Sequence, residues 1–420
     1  MVKMQRVLAI GLGLLILPLS GCEELPTGPD TTPPTLTLLS PIAGSTATDT
    51  IVVQVNASDD RGVAKVELYF DTLSTPFARA TAAPYRLLGP LADIGGGGHT
   101  FQVVATDSSG NTASIGPIAF TAVVNPGLKF ISRMLVDGSA RDVDASGAYA
   151  YVAAWDGGVI VVDVSNPMVP VTALRYDTPG FTHGVTVAGS ILFVADGVEG
   201  VISFSLSDPA NPVELARLKL SGMDAHDVAV SGNYAYAAGG AGGLYALDIS
   251  NPDSLINVGV YNQGGDVRDV ELSGNYAYTA EMNEGLRVID INRPDSMFAV
   301  DQYVGSGLQI YDVSLWAGYA YVAAGDDGAQ AVDVSTPSSI TIADFFVKNG
   351  VMGIVAMGSL TYISAGALGV EVINSTDPAN LLAIANGIFD TDGLSYRLKS
   401  HAGYILVADN AQLTILKYVP

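Results

Sequence analysis

Cysteine is almost missing: one in 420 residues, which excludes any intramolecular disulfide and any metal site built on several thiolates. Basic residues are scarce too, 19 Lys and Arg against 42 Asp and Glu, for a formal charge of −23. A field of that sign repels phosphate backbones, whose binding proteins carry a basic footprint, so nucleic acid is set aside as a partner. Charged residues reach only 15% of the chain, and the sequence has no nucleophile elbow, no phosphate loop and no convincing Ser/His/Asp set. What is plentiful is apolar side chains, at 49%, and glycine, 47 residues. That mixture is typical neither of disorder nor of helical bundles, and short apolar strands between glycine-rich turns produce it. The expected class is all-β, in two or three domains held together by packing.

Residues 1–22 begin Met-Val-Lys-Met-Gln-Arg, continue with an apolar stretch from Val7 to Leu17, and end Leu19-Ser20-Gly21-Cys22. This is a basic n-region, an h-region too short to span a bilayer comfortably, and small residues at a cleavage point. The last four residues resemble the lipobox of bacterial lipoproteins. The resemblance implies that 1–21 is a signal peptide and that Cys22 is the mature N-terminus, acylated and inserted in a membrane at roughly 0.8 kcal/mol per buried methylene. Without Lys3 and Arg6 the mature chain carries 19 − 2 = 17 basic residues, and 17 − 42 = −25. Residues 22–32, rich in Pro, Thr, Gly and acid, read as a flexible tether. Glu23 follows the cysteine instead of Asp, so the commonest inner-membrane retention signal of enteric lipoproteins is missing. The expected location is the cell envelope, at the outer membrane or cell surface.

From 33 to 124, alternating apolar segments fall at Thr35–Leu39, Ile51–Val55, Ala64–Phe70, His99–Ala105 and Ile118–Val123, with weaker ones near Phe77 and Tyr85. Turn clusters separate them, so a β-sandwich of about seven strands is expected. The segments Pro33-Pro34-Thr35, Ala57-Ser58-Asp59-Asp60 and Ala105-Thr106-Asp107 resemble bacterial Ig-like domains of cell-surface proteins. Asp59, Asp60, Asp107 and Asn111 are candidate Ca²⁺ ligands, since that cation takes six to eight oxygens. The simpler reading is that they form turns, bonding their own backbone, and that no cofactor is bound.

From 126 to 420 the chain repeats. A glycine before an aromatic-rich strand recurs at Gly147, Gly189, Gly232, Gly274, Gly318, Gly358 and Gly403. A proline closing each unit recurs independently at Pro167, Pro209, Pro252, Pro294, Pro337, Pro378 and Pro420. Four short strands per period of about 40–45 residues is the signature of a propeller blade, so a seven-bladed β-propeller is expected. The last unit stops after its third strand, while Leu128–Met134 is an orphan strand ahead of the first unit. That N-terminal strand is expected to complete the final blade and seal the ring. The uncharged run from Asn349 to Val370 is long enough for a membrane helix, but it holds five glycines and keeps the repeat register, so strands are expected there. The phrases Gly243-Leu244-Tyr245-Ala246-Leu247-Asp248-Ile249 and Gly285-Leu286-Arg287-Val288-Ile289-Asp290-Ile291 are similar to the LVIVD repeat of bacterial surface propellers. The sixth unit departs with Asn374 and the seventh with Lys417.

The first strands of the units begin at Arg141, His183, His226, Arg268, Tyr311, Met352 and Arg397, which are expected to ring one mouth of the central channel. Turns opening on the same face carry Asp156, Asp196, Glu199, Glu281, Glu284, Asp326, Asp327 and Asp409. A cationic ring inside an acidic rim suits an anionic or sugar ligand, with Trp155 available for stacking. The alternative is that ring residues bond neighbouring blades while the rim keeps the surface soluble. Asp163, Asp248, Asp290 and Asp333 precede Ser-x-Pro or Asn-x-Pro turns and read as structural. His183 and His226 lack an evident third ligand and make a poor zinc site. The functional expectation is a non-enzymatic, monomeric surface module that binds an envelope or extracellular protein or glycan. A hydrolase or lyase working at the channel mouth is the alternative, and a passive structural element of the envelope the third reading.

Overall fold

The computed structural model describes residues 29–305 and 308–420; Cys22 and most of the expected tether lie outside them. The first described unit is a β-sandwich of two sheets. Thr35–Ser40, Thr50–Ser58 and Tyr85–Pro90 form one, and Ser45–Thr48, Thr112–Val123, Gly97–Asp107, Val63–Phe70 and Ala78–Ala80 the other, in that spatial order. Inward residues at every second position, among them Val53, Val55, Leu68, Phe70, Phe101 and Val103, close the core between the sheets. Ser45–Thr48 escaped sequence reading because Ser-Thr-Ala-Thr carries no apolar alternation. It is placed by parallel pairing with Phe120–Val123.

Seven further sheets follow. The first holds Asp142–Ser146, Tyr149–Ala153, Val159–Asp163 and Val171–Tyr176, each antiparallel to the next. Five more four-stranded sheets repeat it. In the seventh, Ser395–His401 pairs with the first half of Tyr404–Val419, whose second half pairs with Gly127–Ala140. The N-terminal strand therefore does seal the last blade. It also reproduces a detail of the others: a bulge interrupts third-to-fourth strand pairing at Val161/Val162 in the first blade and at Ile415/Leu416 in the seventh. The innermost strands touch in succession, and that of the first blade touches that of the seventh, so the ring is closed. The segment from Asn349 to Val370 lies in the strands Gly353–Met357 and Leu360–Ser364 and the start of a third. No helix among the described residues is long and apolar enough to cross a membrane.

The cores lie between blades. Tyr151, Val159 and Val161 of the first blade pack on Leu192, Val194 and Phe204 of the second, and the other interblade clusters repeat the scheme. Both faces of a blade are thus covered, which explains a mean hydropathy of +0.35. Tyr151 spans such a seam, donating its hydroxyl hydrogen to the carbonyl of Pro209 at 3.1 Å. The glycine that heads the third strand in six of the seven blades is dictated by space as well as conformation. At Gly285, φ is 85° and a Cβ would lie 2.1 Å from the Tyr303 carbonyl oxygen.

The inner strand runs from the mouth carrying Arg141 to the opposite face, so the third-to-fourth strand turns lie opposite the mouth. There the sandwich is seated. Asn166 Nδ2 donates to the Pro76 carbonyl at 2.6 Å and Met168 packs against the sandwich core. Asp49 accepts from Asn125 and, at 3.1 Å, from Lys129 Nζ. Lys417, where the repeat departs from its usual Asp, pairs with Asp93, which also accepts from Tyr404 Oη at 3.0 Å. The departure is therefore one of the contacts that tie the propeller to the sandwich.

Candidate functional site at the channel mouth

An innermost strand has a paired neighbour on one side only, so its remaining backbone groups need partners from elsewhere. Aspartates of the preceding blade supply them. Val185 N–H donates to Asp142 Oδ2 at 2.9 Å, Val270 to Asp227 at 3.3 Å, Val313 to Asp269 at 2.9 Å and Ile354 to Asp312 at 2.7 Å. Gly184 and Gly353 hold the same position in the second and sixth blades. A Cβ there would lie 2.6 Å from the His226 carbonyl oxygen or 2.2 Å from that of Tyr396, so the neighbouring blade leaves no room for a side chain.

The seventh blade puts Arg397 into this layer. Leu398 pairs with Val407 as Val143 pairs with Val152, and a register shift between Ser395 and Leu398 accommodates the change. Arg397 therefore aligns with Asp142, and Tyr396 takes the ring position expected for Arg397. This corrects the sequence reading: repeat counting could not see an irregularity in strand pairing. Arg397 points at the aspartates, Nη1 at 3.2 Å from Asp227, Nη2 at 2.6 Å from Asp269 and Nε at 3.9 Å from Asp312. Farther along the channel, Lys399 Nζ lies 2.8 Å from Asp144, and Glu271 faces the same space. Together these groups line a cavity of about 320 Å³. Burial pushes Asp142 up to about 6 even though Arg397 opposes it, and enclosure pushes Glu271 up to about 7. Burial, joined by neighbouring Asp312 and Asp227, also raises Asp269 well above the carboxylate range.

Above this layer, Arg141, His183, His226, Arg268, Tyr311, Met352 and Tyr396 surround a well of about 120 Å³, with Arg397 bordering it from below. Arg268 donates from Nη1 to His226 Nε2 at 3.1 Å and is held by Asp266 at 2.5 Å. Because His226 Nε2 accepts, its proton sits on Nδ1 and points at His183 Nδ1, 3.2 Å away. His183 then carries its proton on Nε2. Burial, then the charge of Arg268 and Arg141, pushes His183 down to about 4; burial, His183 and Arg268 push His226 to about 2. Both rings are neutral near pH 7. Among the described residues, no third His, Cys, Asp or Glu ligand atom joins them.

Arg141 differs from the other ring cations. Its guanidinium lies 4.7 Å from the Trp155 ring centroid and 4.3 Å from that of Tyr396. Its Nε is buried without a hydrogen-bond partner, and among the described residues it has no salt bridge. Trp155 in turn stacks on Phe181 at 4.9 Å, and Phe181 is 50% exposed. The mouth is thus an aromatic shelf leading to an uncompensated cation.

The expected acidic rim is only partly present. Asp156, Asp326 and Asp327 are exposed, and Glu199 and Glu284 are half-buried. Asp196, Glu281 and Asp409 are buried instead. Asp196 accepts from Gly180 N and Thr182 Oγ1, Glu281 accepts from Arg287 Nε and Nη2, and Asp409 accepts from Thr391, Gln412 and Thr414. They pin turns in place, because a carboxylate at a tight turn finds backbone and hydroxyl donors close by. The recurrent Asp163, Asp248, Asp290 and Asp333 each accept the N–H two residues on, at 2.8–2.9 Å. In the sandwich, Asp107 spends its oxygens on Ser109 and Asn111, while Asp59 and Asp60 gather with Asp30, one oxygen of each within 4.8 Å of the others. Three oxygens are half or less of what Ca²⁺ takes.

Sequence reading missed Asp142, Asp227, Asp269 and Asp312, although each directly follows a mouth residue in its repeat. Aligning the units on that position exposes them. Phe181 had no such signal, since no other blade has an aromatic residue there, and Tyr396 was hidden by the register shift between Ser395 and Leu398.

Four repeats match the family model "LVIVD repeat", at residues 137–178, 222–263, 264–304 and 309–345. The second, sixth and seventh units fall outside those matches, and they have Ser205, Asn374 and Lys417 where the others have Asp. Residues 34–103 match "Bacterial Ig domain". No curated protein matches the chain. Among solved structures, the β-propeller domain of Cps50 (Swd1) from Myceliophteria thermophila is 13% identical, with a TM-score of 0.57 over 70% of this chain and 100% of that one. The computationally designed Ika8 protein is 10% identical, with a TM-score of 0.53 over 76% and 93%. At such identities the likeness concerns fold and not activity. With seven closed blades behind a sandwich, and both family models matched in that order, the chain is a β-propeller protein of LVIVD repeats carrying an N-terminal bacterial Ig-like domain.

Proposed function

We propose that this protein is lipid-anchored in the cell envelope through Cys22 and displays its propeller as a non-enzymatic module that binds a protein or glycan at the channel mouth. The observation that carries the reading is Arg141, a cation held between two aromatic faces with no partner of opposite charge among the described residues. Its Nε is buried without a partner, and a donor left in that state costs free energy unless something else completes it. Placement supports the same reading, for the sandwich is seated on the face opposite the mouth, which leaves the mouth directed away from the anchored end.

The hydrolase or lyase alternative draws on one feature, Asp224 Oδ2 at 3.5 Å from His226 Nε2. That nitrogen already accepts from Arg268, and both imidazoles are held far below neutral pKa, which suits a fixed hydrogen-bond relay better than a general base. The test is capture on immobilised envelope glycans and proteins, comparing the wild type with a variant in which Arg141, His183, His226 and Arg268 are all Ala. Loss of capture with an unchanged circular-dichroism spectrum is expected, and retained capture would move recognition away from the mouth. Separately, Cys22→Ala should release the protein from membranes; continued fractionation with lipid would refute acylation there.

A further inference from the structure

We infer that the mouth recognises a carboxylate-bearing sugar, with the carboxylate seated on Arg141 and the sugar ring lying on the Trp155–Phe181 shelf. This rests on the reading of the mouth as the recognition face and specifies its ligand class.

The charge of the group follows from the donors. Arg141 has a buried, unpartnered Nε, as does Arg268, and His183 presents Nε2–H once its Nδ1 accepts from His226. The free nitrogen groups of the well are therefore donors, the hydroxyls of Tyr311 and Tyr396 can take either role, and a guanidinium edge matches the two oxygens of a carboxylate. The number of charges is limited by what stands beside the well. Asp266 already neutralises Arg268, and Asp224 is half-exposed next to His226. A second negative charge on the ligand would meet these carboxylates, and a polyanion would meet the field of a chain carrying −23.

Size and shape separate a sugar from a peptide. The well, about 120 Å³, does not take a whole carboxylated pyranose, so part of the ligand must lie outside, where Phe181, stacked on Trp155 and 50% exposed, presents its free face. The carbon-bound hydrogens on one face of a pyranose pack against such a surface. A peptide ending in a carboxylate would also pair its main chain with a free strand edge. Four of the seven inner strands have the relevant N–H groups already taken by Asp142, Asp227, Asp269 and Asp312.

The test is calorimetric titration of the full chain with methyl β-D-glucuronide, methyl α-D-galacturonide and N-acetylneuraminic acid. Methyl β-D-glucoside, N-acetyl-phenylalanine, inorganic phosphate and polygalacturonate serve as contrasts. At least one acidic monosaccharide should bind saturably, with the neutral glucoside weaker by roughly 10- to 100-fold, the range of a charge-assisted hydrogen-bonded pair. Arg141→Met should abolish that difference and Phe181→Ala weaken binding severalfold, both with an unchanged thermal transition. Arg141→Lys, which keeps the charge but not the planar fork, should recover only part. The assignment is overturned if none of the three acidic sugars binds, if glucoside, phosphate or polygalacturonate binds as tightly as the best of them, or if N-acetyl-phenylalanine does. It is equally overturned if Arg141→Met binds like wild type. Should that variant still capture envelope material, the carboxylate assignment fails while the binding module stands; should wild type capture nothing, both fail.

Discussion

Two arginines stand one layer apart in the same channel and have opposite circumstances. Arg397 is surrounded by Asp227, Asp269 and Asp312, and its charge is used up in closing the ring. Arg141 faces Trp155 and Tyr396 and has its charge left over. Both are enclosed, so burial alone does not distinguish a structural cation from a receptive one. What distinguishes them is whether the fold itself supplies the counter-charge.

The sharpest way to break this comparison is to remove each cation in turn. Arg397→Met strands three buried carboxylates, and unfolding free energy near pH 7 should fall by about 3–5 kcal/mol, as for other broken buried pairs. Urea denaturation followed by circular dichroism measures it. A loss below about 1 kcal/mol would mean that the aspartates are compensated elsewhere. The deficit should shrink on acidification, since stranded carboxylates take up protons.

A smaller effect concerns Asp142 and its pH limb. Its folded pKa, about 6, lies above the ordinary value of 3.8, so the folded state retains a proton that the unfolded chain has released. The stability this contributes is complete below about pH 4 and is lost as pH rises through about 6. Asp142→Asn keeps the acceptor for Val185 N–H, so wild-type stability measured relative to this variant should fall by about 1–3 kcal/mol between about pH 4 and about pH 7. The histidines act on the other limb. With folded values of about 4 and about 2 against 6.5, their contribution is complete above about pH 6.5 and is lost as pH falls through those folded values. A difference between the two profiles that does not fall between about pH 4 and about pH 7 would contradict the Asp142 assignment; the wild-type profile alone does not isolate it, because the histidines act in the opposite sense over the same range. The smallest stability change belongs to Arg141→Met, within about 1 kcal/mol, because no carboxylate is stranded and the aromatic faces still pack on an unbranched side chain. A larger loss would make Arg141 structural after all.

Much of the fold was readable because a repeat states its rule seven times. Spaced glycines and prolines located the blades, and a unit lacking its fourth strand, with an orphan strand upstream, located the seal. The small deviations were readable only in retrospect. Lys417 replaces a turn aspartate and looks like decay of the repeat, yet it is the contact with Asp93 in the sandwich. Arg397 looks like another mouth residue until the shift between Ser395 and Leu398 moves it one layer inward. Asp196, Glu281 and Asp409 look like rim acids and are buried, because composition does not tell which side of a turn a carboxylate takes.

Sequence alone determined the number of blades, the all-β class and the residues that begin six of the seven inner strands, since periodic burial leaves periodic chemistry. Only the closed ring decided which charges cancel. Whether an arginine meets three aspartates or two aromatic rings depends on strand register and, apart from Trp155 beside Arg141 in its own blade, on neighbours 85 to 255 residues away, and those distances become short only in the closed ring.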